Sequence, residues 1–292
     1  MASELIKIES HQVPKLENRF RLSDYTPGKF NSIFSKKGIK KAIKKGFITI
    51  NGVIGYTADY INGGELLELY QPKNPKKRPS ITIPLQIIYE DDYLAIINKP
   101  AGILVSGNKK YTLENALPTS LTKSKQKDAL LYPEPIHRLD YPTSGALLIG
   151  KTTQAVILLN KMFEQQQIKK KYRAITIGKQ EENGIIEDPI NEKSSKSEFK
   201  IITSIPSIKY GFLNLVELIP HTGRTHQLRI HMSTIENPIL GDLKYGKEGL
   251  ISMGNGLYLQ SSYLSFIHPF TNNKVEIAIS LPKKFSKIFP NN

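Results

Sequence analysis

A proline- and lysine-rich stretch, QPKNPKKRPSITIP at residues 71–84, most constrains how this chain of 292 residues can fold. Its composition is typical of a linker, because each proline fixes one backbone angle and lacks an N–H donor. The chain is also longer than a usual single domain. We therefore predict an α+β protein with a small domain over 19–70 and a larger domain over 85–292. The polar segment 1–18 is expected to be a tail or an edge strand.

The small domain carries a block of positive charge. No acidic residue occurs between Tyr25 and Ala58. Within this block, KKGIKKAIKKG predicts a short helix, since its isoleucines lie four residues apart and a glycine follows the last lysine pair. FITINGVI alternates around an Asn-Gly turn and predicts a hairpin, and ELLELY predicts a further strand.

The lysine pairs of this helix recur every four residues, a spacing at which like charges repel by a few tenths of a kcal/mol. A charge run is usually a solvated face, but unneutralised repulsion favours a bound anion. The net charge of +15 also favours a polyanionic partner, either nucleic acid or an acidic membrane face. The lysines that we expect to contact RNA are Lys36, Lys37, Lys40, Lys41, Lys44 and Lys45.

Several classes of protein are excluded or disfavoured by composition. The chain has no cysteine, so disulfides and cysteine-ligated zinc are impossible. No apolar run approaches the ~20 residues needed to span a bilayer, and the first residues lack the apolar core of a signal peptide. We expect a soluble, cytoplasmic monomer without membrane contacts.

The segment GALLIGKT at residues 145–152 matches the phosphate-loop pattern of nucleotide hydrolases. In such a loop the variable positions form a turn around phosphate, and a strand precedes the first glycine. Here the variable positions are Ala-Leu-Leu-Ile, which are typical of a strand, and a Pro-Thr-Ser turn precedes them. We therefore do not interpret Lys151 as a nucleotide ligand.

A metal site is a second alternative, because His221, His226 and His231 recur every five residues. Apolar spacing predicts one helix from about Thr153 to Gln167 and another from about Thr225 to Ile235. On the second helix a step of five residues turns by ~140°, so the last two histidines would not share a face. No suitably spaced carboxylate completes the set, and we predict no metal site.

The segment HRLDYPTSG at residues 137–145 places Asp140 between an arginine and a Pro-Thr-Ser-Gly turn. Such a rigid loop before a buried strand often carries functional side chains. Considered alone, Asp140 is equally compatible with capping the turn, which is a common role of aspartate before proline.

Five stretches, in order along the chain, resemble the motifs of the RluA-type pseudouridine synthases. They are NKPAGILVSG (98–107), HRLDYPTSG (137–145), KKYRAITIG (170–178), PHTGRTHQLRIHM (220–232) and GDLKYG (241–246). The resemblance spans residues 85–282. It implies a catalytic domain with a mixed, mainly antiparallel sheet and flanking helices, which isomerises uridine in RNA without a cofactor or metal. Residues 19–70 resemble the alpha-L RNA-binding domain, although Lys36-Lys37 replaces the usual Ser-Arg.

The resemblance also implies roles for individual residues. Asp140 is the catalytic residue, Tyr172 supplies an aromatic face for the uracil, and Arg224 keeps the catalytic carboxylate ionised. We favour Arg224 for this role over Arg229, which could equally be a helix-surface or RNA contact. Taken alone, Tyr172 would be an ordinary core residue of a strand.

Three further residues receive RNA-facing roles by the same resemblance. Arg138 is expected to occupy the gap left by the everted nucleotide, and Leu228 and Ile230 to line the pocket wall. Ordinary core packing remains an alternative for at least one of the last two.

The expected reaction breaks the bond between uracil N1 and ribose C1′ and rejoins the base through C5. A carboxylate can act as nucleophile or as base in this reaction. Whether it attacks C6, attacks C1′ or deprotonates C2′ stays open. The resemblance favours large-subunit (23S) ribosomal RNA as substrate, with transfer RNA as an alternative. A non-catalytic RNA-binding or ribosome-assembly factor with the same fold is a further alternative.

Overall fold

The computed structural model describes residues 4–33, 36–73, 79–251 and 254–290. The side chain of Lys37 and residues 74–78 of the predicted linker lie outside the described residues. The chain divides into two units, Met1–Arg78 and Pro79–Asn292, each with its own core.

The first unit is built on a small antiparallel sheet with strand order β1-β6-β3-β4 and a separate pair, β2 and β5. Its described elements are β1 (Leu5–Gln12), β2 (Phe20–Arg21), α1 (Leu22–Tyr25), α2 (Lys36–Lys44), β3 (Ile48–Ile50), β4 (Val53–Ile54), β5 (Tyr60–Ile61) and β6 (Leu66–Pro72). Strand β1 lies at the sheet edge, so residues 5–12 form an edge strand, which was one of the two predicted alternatives for this segment.

The predicted lysine-rich helix and the hairpin after it are confirmed. In α2, Ile39 and Ile43 are buried in the core of the unit. The helix ends at Lys44, and Gly46 caps it, with a left-handed φ of 69° and an N–H that donates to the carbonyl of Ile43. Asn51 and Gly52 both have positive φ, as a two-residue turn between twisted strands requires.

The second unit is built on one large sheet with strand order β12-β13-β14-β11-β15-β10-β8-β7, to which β16 and β9 add through β15 and β10. Its described elements are β7 (Gln86–Glu90), β8 (Leu94–Lys99), α3 (Leu113–Ser120), β9 (Ala129–Pro135), β10 (Ser144–Thr152), α4 (Thr153–Glu164), β11 (Lys169–Ile177), β12 (Asn183–Ile186), β13 (Ser197–Ser207), β14 (Gly211–Pro220), α5 (Gln227–Thr234), β15 (Leu259–Ile267), β16 (Lys274–Ala278) and α6 (Lys283–Ser286). Only β10 and β15 pair in parallel among the described strands, so the predicted mixed, mainly antiparallel sheet is confirmed. None of the helices in these ranges is long and apolar enough to cross a bilayer.

Strands β10 and β15 meet at Gly145, directly after the loop that carries the HRLD motif. Gly145 has a φ of 112°, and a Cβ at this position would lie 2.1 Å from the carbonyl oxygen of Ser261. A side chain is therefore excluded by both backbone conformation and space. This contact fixes the start of β10, and with it the loop before it.

The phosphate-loop pattern is a buried strand, as predicted. Residues 146–149 of β10 are fully buried. Lys151 is itself 2% exposed, forms an ion pair with Glu90 at 2.7 Å and donates to the carbonyl of Asp91. Its ammonium group is thus engaged within the fold.

Candidate active site

A cavity of about 310 Å³ lies in the second unit beside the carboxyl group of Asp140. Its wall comes from the loop between β9 and β10, from α4 and β11, and from the segment that leads into α5. This volume is at the lower end of the range for pockets that bind small organic groups.

A buried lysine forms hydrogen bonds to the loop that carries Asp140. The Nζ of Lys99, which is fully buried, donates to the carbonyls of Pro100, Tyr141 and Thr143 at 2.9, 3.4 and 2.8 Å. Burial lowers the pKa of Lys99 to about 8, and the nearby charge of Asp140 partly opposes this shift. This lysine belongs to the NKPAG motif, but the sequence alone did not indicate its contacts.

Arg229 is the cation beside the loop that carries Asp140. Its Nη1 lies 3.2 Å from Oδ2 of Asp140, whose side chain is 16% exposed. On its other side, Nε and Nη2 donate to the two carboxylate oxygens of Asp242 at 2.7 and 2.8 Å. The guanidinium therefore bridges two carboxylates, and the fully buried Asp242 fixes its orientation.

The electrostatics of this bridge favour the charged forms of both buried partners. Burial alone would raise the pKa of Asp242, but hydrogen bonds from Arg229 and from the N–H groups of Lys244 and Tyr245 outweigh it, so the pKa is lowered. For Arg229, burial lowers the pKa, and hydrogen bonds to both aspartates more than reverse this effect. Arg229 is thus a fixed cation.

The predicted pairing of Arg224 with Asp140 is wrong. Nε of Arg224 donates to the carbonyl of Ser194 at 2.9 Å, and the side chain lies on the cavity wall without pairing with Asp140. Arg224 lies in the loop before α5, and Arg229 lies in the first turn of that helix, where its guanidinium reaches both Asp140 and Asp242.

His226 is a second polar contact of the site that sequence reasoning did not find. Its Nδ1 is 3.0 Å from the hydroxyl of Tyr245, and its Nε2 is 3.8 Å from Oδ1 of Asp140. Burial lowers the pKa of His226, against the opposing effect of Asp140. The imidazole therefore favours its neutral form.

Tyr172 on β11 lines the same cavity as Asp140. Burial raises the pKa of its phenol to about 12, so the hydroxyl stays protonated at physiological pH. Its ring offers a flat aromatic surface inside the cavity.

Of the remaining predicted pocket residues, the cavity contains Arg138 and Leu228. Arg138 is exposed at the wall, and Leu228 is 7% exposed. Ile230 is not among the described residues that line this cavity, so its predicted pocket role has no support in the geometry.

The three regularly spaced histidines do not converge. Their hydrogen-bond partners are Glu198 for His221, Tyr245 for His226, and Ser195 and Ser197 for His231. Within the described ranges, no three His, Asp or Glu side chains are arranged to hold a metal ion.

In the first unit, five lysines of the predicted RNA-binding set border one exposed surface, namely Lys36, Lys40, Lys41, Lys44 and Lys45. Lys36 forms an ion pair with Asp24 at 2.7 Å, so one member has a carboxylate partner that the local sequence did not reveal. We call Lys40, Lys41, Lys44 and Lys45 the lysine patch.

Comparison with known proteins identifies the family. The family model described as RNA pseudouridylate synthase matches residues 93–234. The chain is 30% identical over 283 residues to an uncharacterized RNA pseudouridine synthase of Aquifex aeolicus, covering 88% of this chain and 89% of that protein. It is 33% identical over 288 residues to a ribosomal large subunit pseudouridine synthase D of Buchnera aphidicola, covering 87% and 89%.

Among solved structures, human RNA pseudouridylate synthase domain containing 1 aligns with a TM-score of 0.56 and 23% identity, over 72% of this chain and 86% of that one. At this identity the likeness establishes the fold only. It agrees with the mixed, mainly antiparallel sheet described above. The chain therefore belongs to the RluA-type RNA pseudouridine synthases, and it is an isomerase that acts on RNA.

Proposed function

We propose that this enzyme isomerises uridine in large-subunit ribosomal RNA and that Asp140 carries out the reaction. The observation that carries the proposal is the bridge from Asp242 through Arg229 to Asp140. It supports an ionised carboxylate at a cavity that also contains the ring of Tyr172. Both features suit a uracil nucleotide bound next to a reactive carboxylate.

The reaction rearranges bonds within one nucleotide. The N1–C1′ bond breaks, the base turns, C5 bonds to C1′, C5 loses its proton and N1 gains one. Attack of the carboxylate on C6, attack on C1′ and removal of the C2′ proton all require its ionised form. A fixed guanidinium lies 3.2 Å from the carboxylate, close enough to hold it in place by a charge-assisted hydrogen bond. Arg229 therefore takes the role that the sequence resemblance gave to Arg224.

The uridine must leave its stack to reach Asp140, at a cost of a few kcal/mol. Stacking on an aromatic ring offsets about 1–3 kcal/mol per base, and Tyr172 is suited to provide it. As a neutral phenol, Tyr172 also adds no negative charge beside the carboxylate. Arg138, exposed at the wall, is suited to fill the gap left in the RNA, and Leu228 to support the base from the side.

The choice of ribosomal RNA rests on the relatives, several of which are named ribosomal large subunit pseudouridine synthase D. The lysine patch is consistent with contacts to a structured RNA, because it offers four closely spaced cations to backbone phosphates.

The experiment maps pseudouridines in total RNA from cells with and without the gene, with wild-type or Asp140→Asn protein supplied in return. Asparagine keeps the shape of the side chain and removes its charge. We expect one or a few large-subunit positions to disappear, and only wild-type protein to restore them. Unchanged large-subunit RNA, or restoration by Asp140→Asn, would contradict the proposal.

A further inference from the structure

The cavity beside Asp140 adjoins a second cavity of about 560 Å³. The residues that line both are Phe163, Lys170, Pro220, Thr222, Gly223 and Arg224. We call this the shared wall. Because it borders both cavities, it is open to the chain that flanks a base held in the first cavity.

Two cations stand on the shared wall. The ammonium of Lys170 lies 5.3 Å from the ring centre of Phe163, and burial lowers its pKa. Arg224 is fixed through Nε to the carbonyl of Ser194, which leaves its two terminal nitrogens available. In the part of the chain that the structure describes, neither cation has a carboxylate within 4.0 Å.

The carboxylates of the two cavities do not neutralise this pair. Asp140 is bound to Arg229, Glu198 is bound to His221, and Glu164 is exposed at the end of α4. A cation that is partly desolvated without a partner costs free energy unless a ligand supplies the opposite charge. The shared wall thus carries two positive groups, and an anion bound there would supply the opposite charge.

We propose that Lys170 and Arg224 form a subsite for one phosphodiester next to the target uridine, and that this subsite positions the everted nucleotide over Asp140. The inference rests on the proposed role of Asp140, but not on ribosomal RNA as the substrate. Arginine and lysine are the usual phosphate ligands, the first through a fork of donors and the second as a point charge. Both act here as positioning residues, not as groups that touch the reacting atoms.

The test uses a short stem-loop RNA that contains whichever uridine the wild-type enzyme modifies. In a series of such RNAs, each phosphate near that uridine is replaced in turn by an uncharged methylphosphonate. We expect one position at which this change lowers kcat/KM of the wild-type enzyme by about tenfold, the loss of one charge-assisted hydrogen bond. Lys170→Gln and Arg224→Gln should each cause a similar loss on normal RNA, mainly through KM.

The decisive result is non-additivity. On the RNA with the critical neutral linkage, the two variants should lose little more than the wild-type enzyme does, because the interaction is already absent. Arg224→Lys should retain much of the activity, and Lys200→Gln, at an exposed lysine of β13, serves as the matched control. The proposed subsite would be overturned if the losses in kcat/KM from the variant and from the neutral linkage multiplied at every linkage. It would also be overturned if both variants matched the wild-type enzyme on normal RNA.

The wild-type scan does not depend on the folding of any variant, and thermal melting checks the variants themselves. A wild-type scan with no sensitive position would also overturn the proposal. Failure of the proposed function is distinguishable, because it would appear as an active Asp140→Asn enzyme while the phosphate scan kept its own outcome.

Discussion

The bridge Asp140–Arg229–Asp242 predicts that stability and catalysis can be separated by one pair of substitutions. Arg229→Gln removes a guanidinium whose side chain is 7% exposed and leaves Asp242 fully buried without its cation. Breaking a buried ion pair from one side costs about 3–5 kcal/mol of unfolding free energy. The second substitution, Asp242→Asn, removes the orphaned charge and should bring the double variant back to within about 1–2 kcal/mol of wild type.

Catalysis should not recover in the double variant, because Asp140 still lacks the guanidinium 3.2 Å away. We expect pseudouridine formation to fall by about 10²- to 10³-fold in both the single and the double variant, the typical effect of losing one charge-stabilising donor. Urea denaturation and single-turnover kinetics measure the two quantities. For the stability measurement alone, Arg224→Gln is the control, with a change in unfolding free energy of about 1 kcal/mol for one backbone hydrogen bond. A double variant that regains both stability and activity would refute the reasoning.

Three other predictions concern the groups around the site. Burial lowers the pKa of His137 to about 3, so between that pH and the ordinary pKa of 6.5 the unfolded chain holds a proton that the native state does not. In this window the free energy of unfolding should fall as the pH decreases, by up to ~1.4 kcal/mol per pH unit. Urea titrations at several pH values should show that His137→Gln flattens this slope. Gly145→Ala should lower the free energy of unfolding by about 3 kcal/mol or more and abolish turnover, because the added Cβ would clash with Ser261. Gly211→Ala, also at positive φ but in open space, should lower the free energy of unfolding by only about 1–2 kcal/mol. Reversing the four residues of the lysine patch to Glu should lower the slope of log affinity for RNA against log salt by roughly one unit per lost phosphate contact; an unchanged slope would show that the patch does not touch RNA.

Sequence patterns predicted helices and strands correctly where neighbouring residues along the chain determine the structure. The two isoleucines of α2 and its terminal glycine specify a short helix within eleven residues. The phosphate-loop pattern was recognised as a strand because Ala-Leu-Leu-Ile suits burial, and β10 is indeed buried. The ion pair of Lys36 with Asp24, in contrast, joins residues twelve positions apart and left no local signal.

The choice between Arg224 and Arg229 could not be made from sequence. It depends on which guanidinium the tertiary fold brings to Asp140, since Arg224 lies before α5 and Arg229 within it in both the predicted and the observed helix. The helix predicted from Thr225 begins instead at Gln227. Asp242, thirteen residues after Arg229, lay in a recognised motif, but its contact is tertiary. Likewise, Lys99 on β8 binds the loop that carries Asp140 only in the folded chain, through the carbonyls of Tyr141 and Thr143.

The central claim is that the Asp140 carboxylate drives exchange of the uracil attachment from N1 to C5. Because C5 loses its proton in this reaction, release of tritium from RNA made with 5-tritiated uridine reports it directly. With purified protein, we predict that wild type releases one tritium per target uridine, whereas Asp140→Asn binds the same RNA and releases none. Equal release by the two proteins would contradict the account.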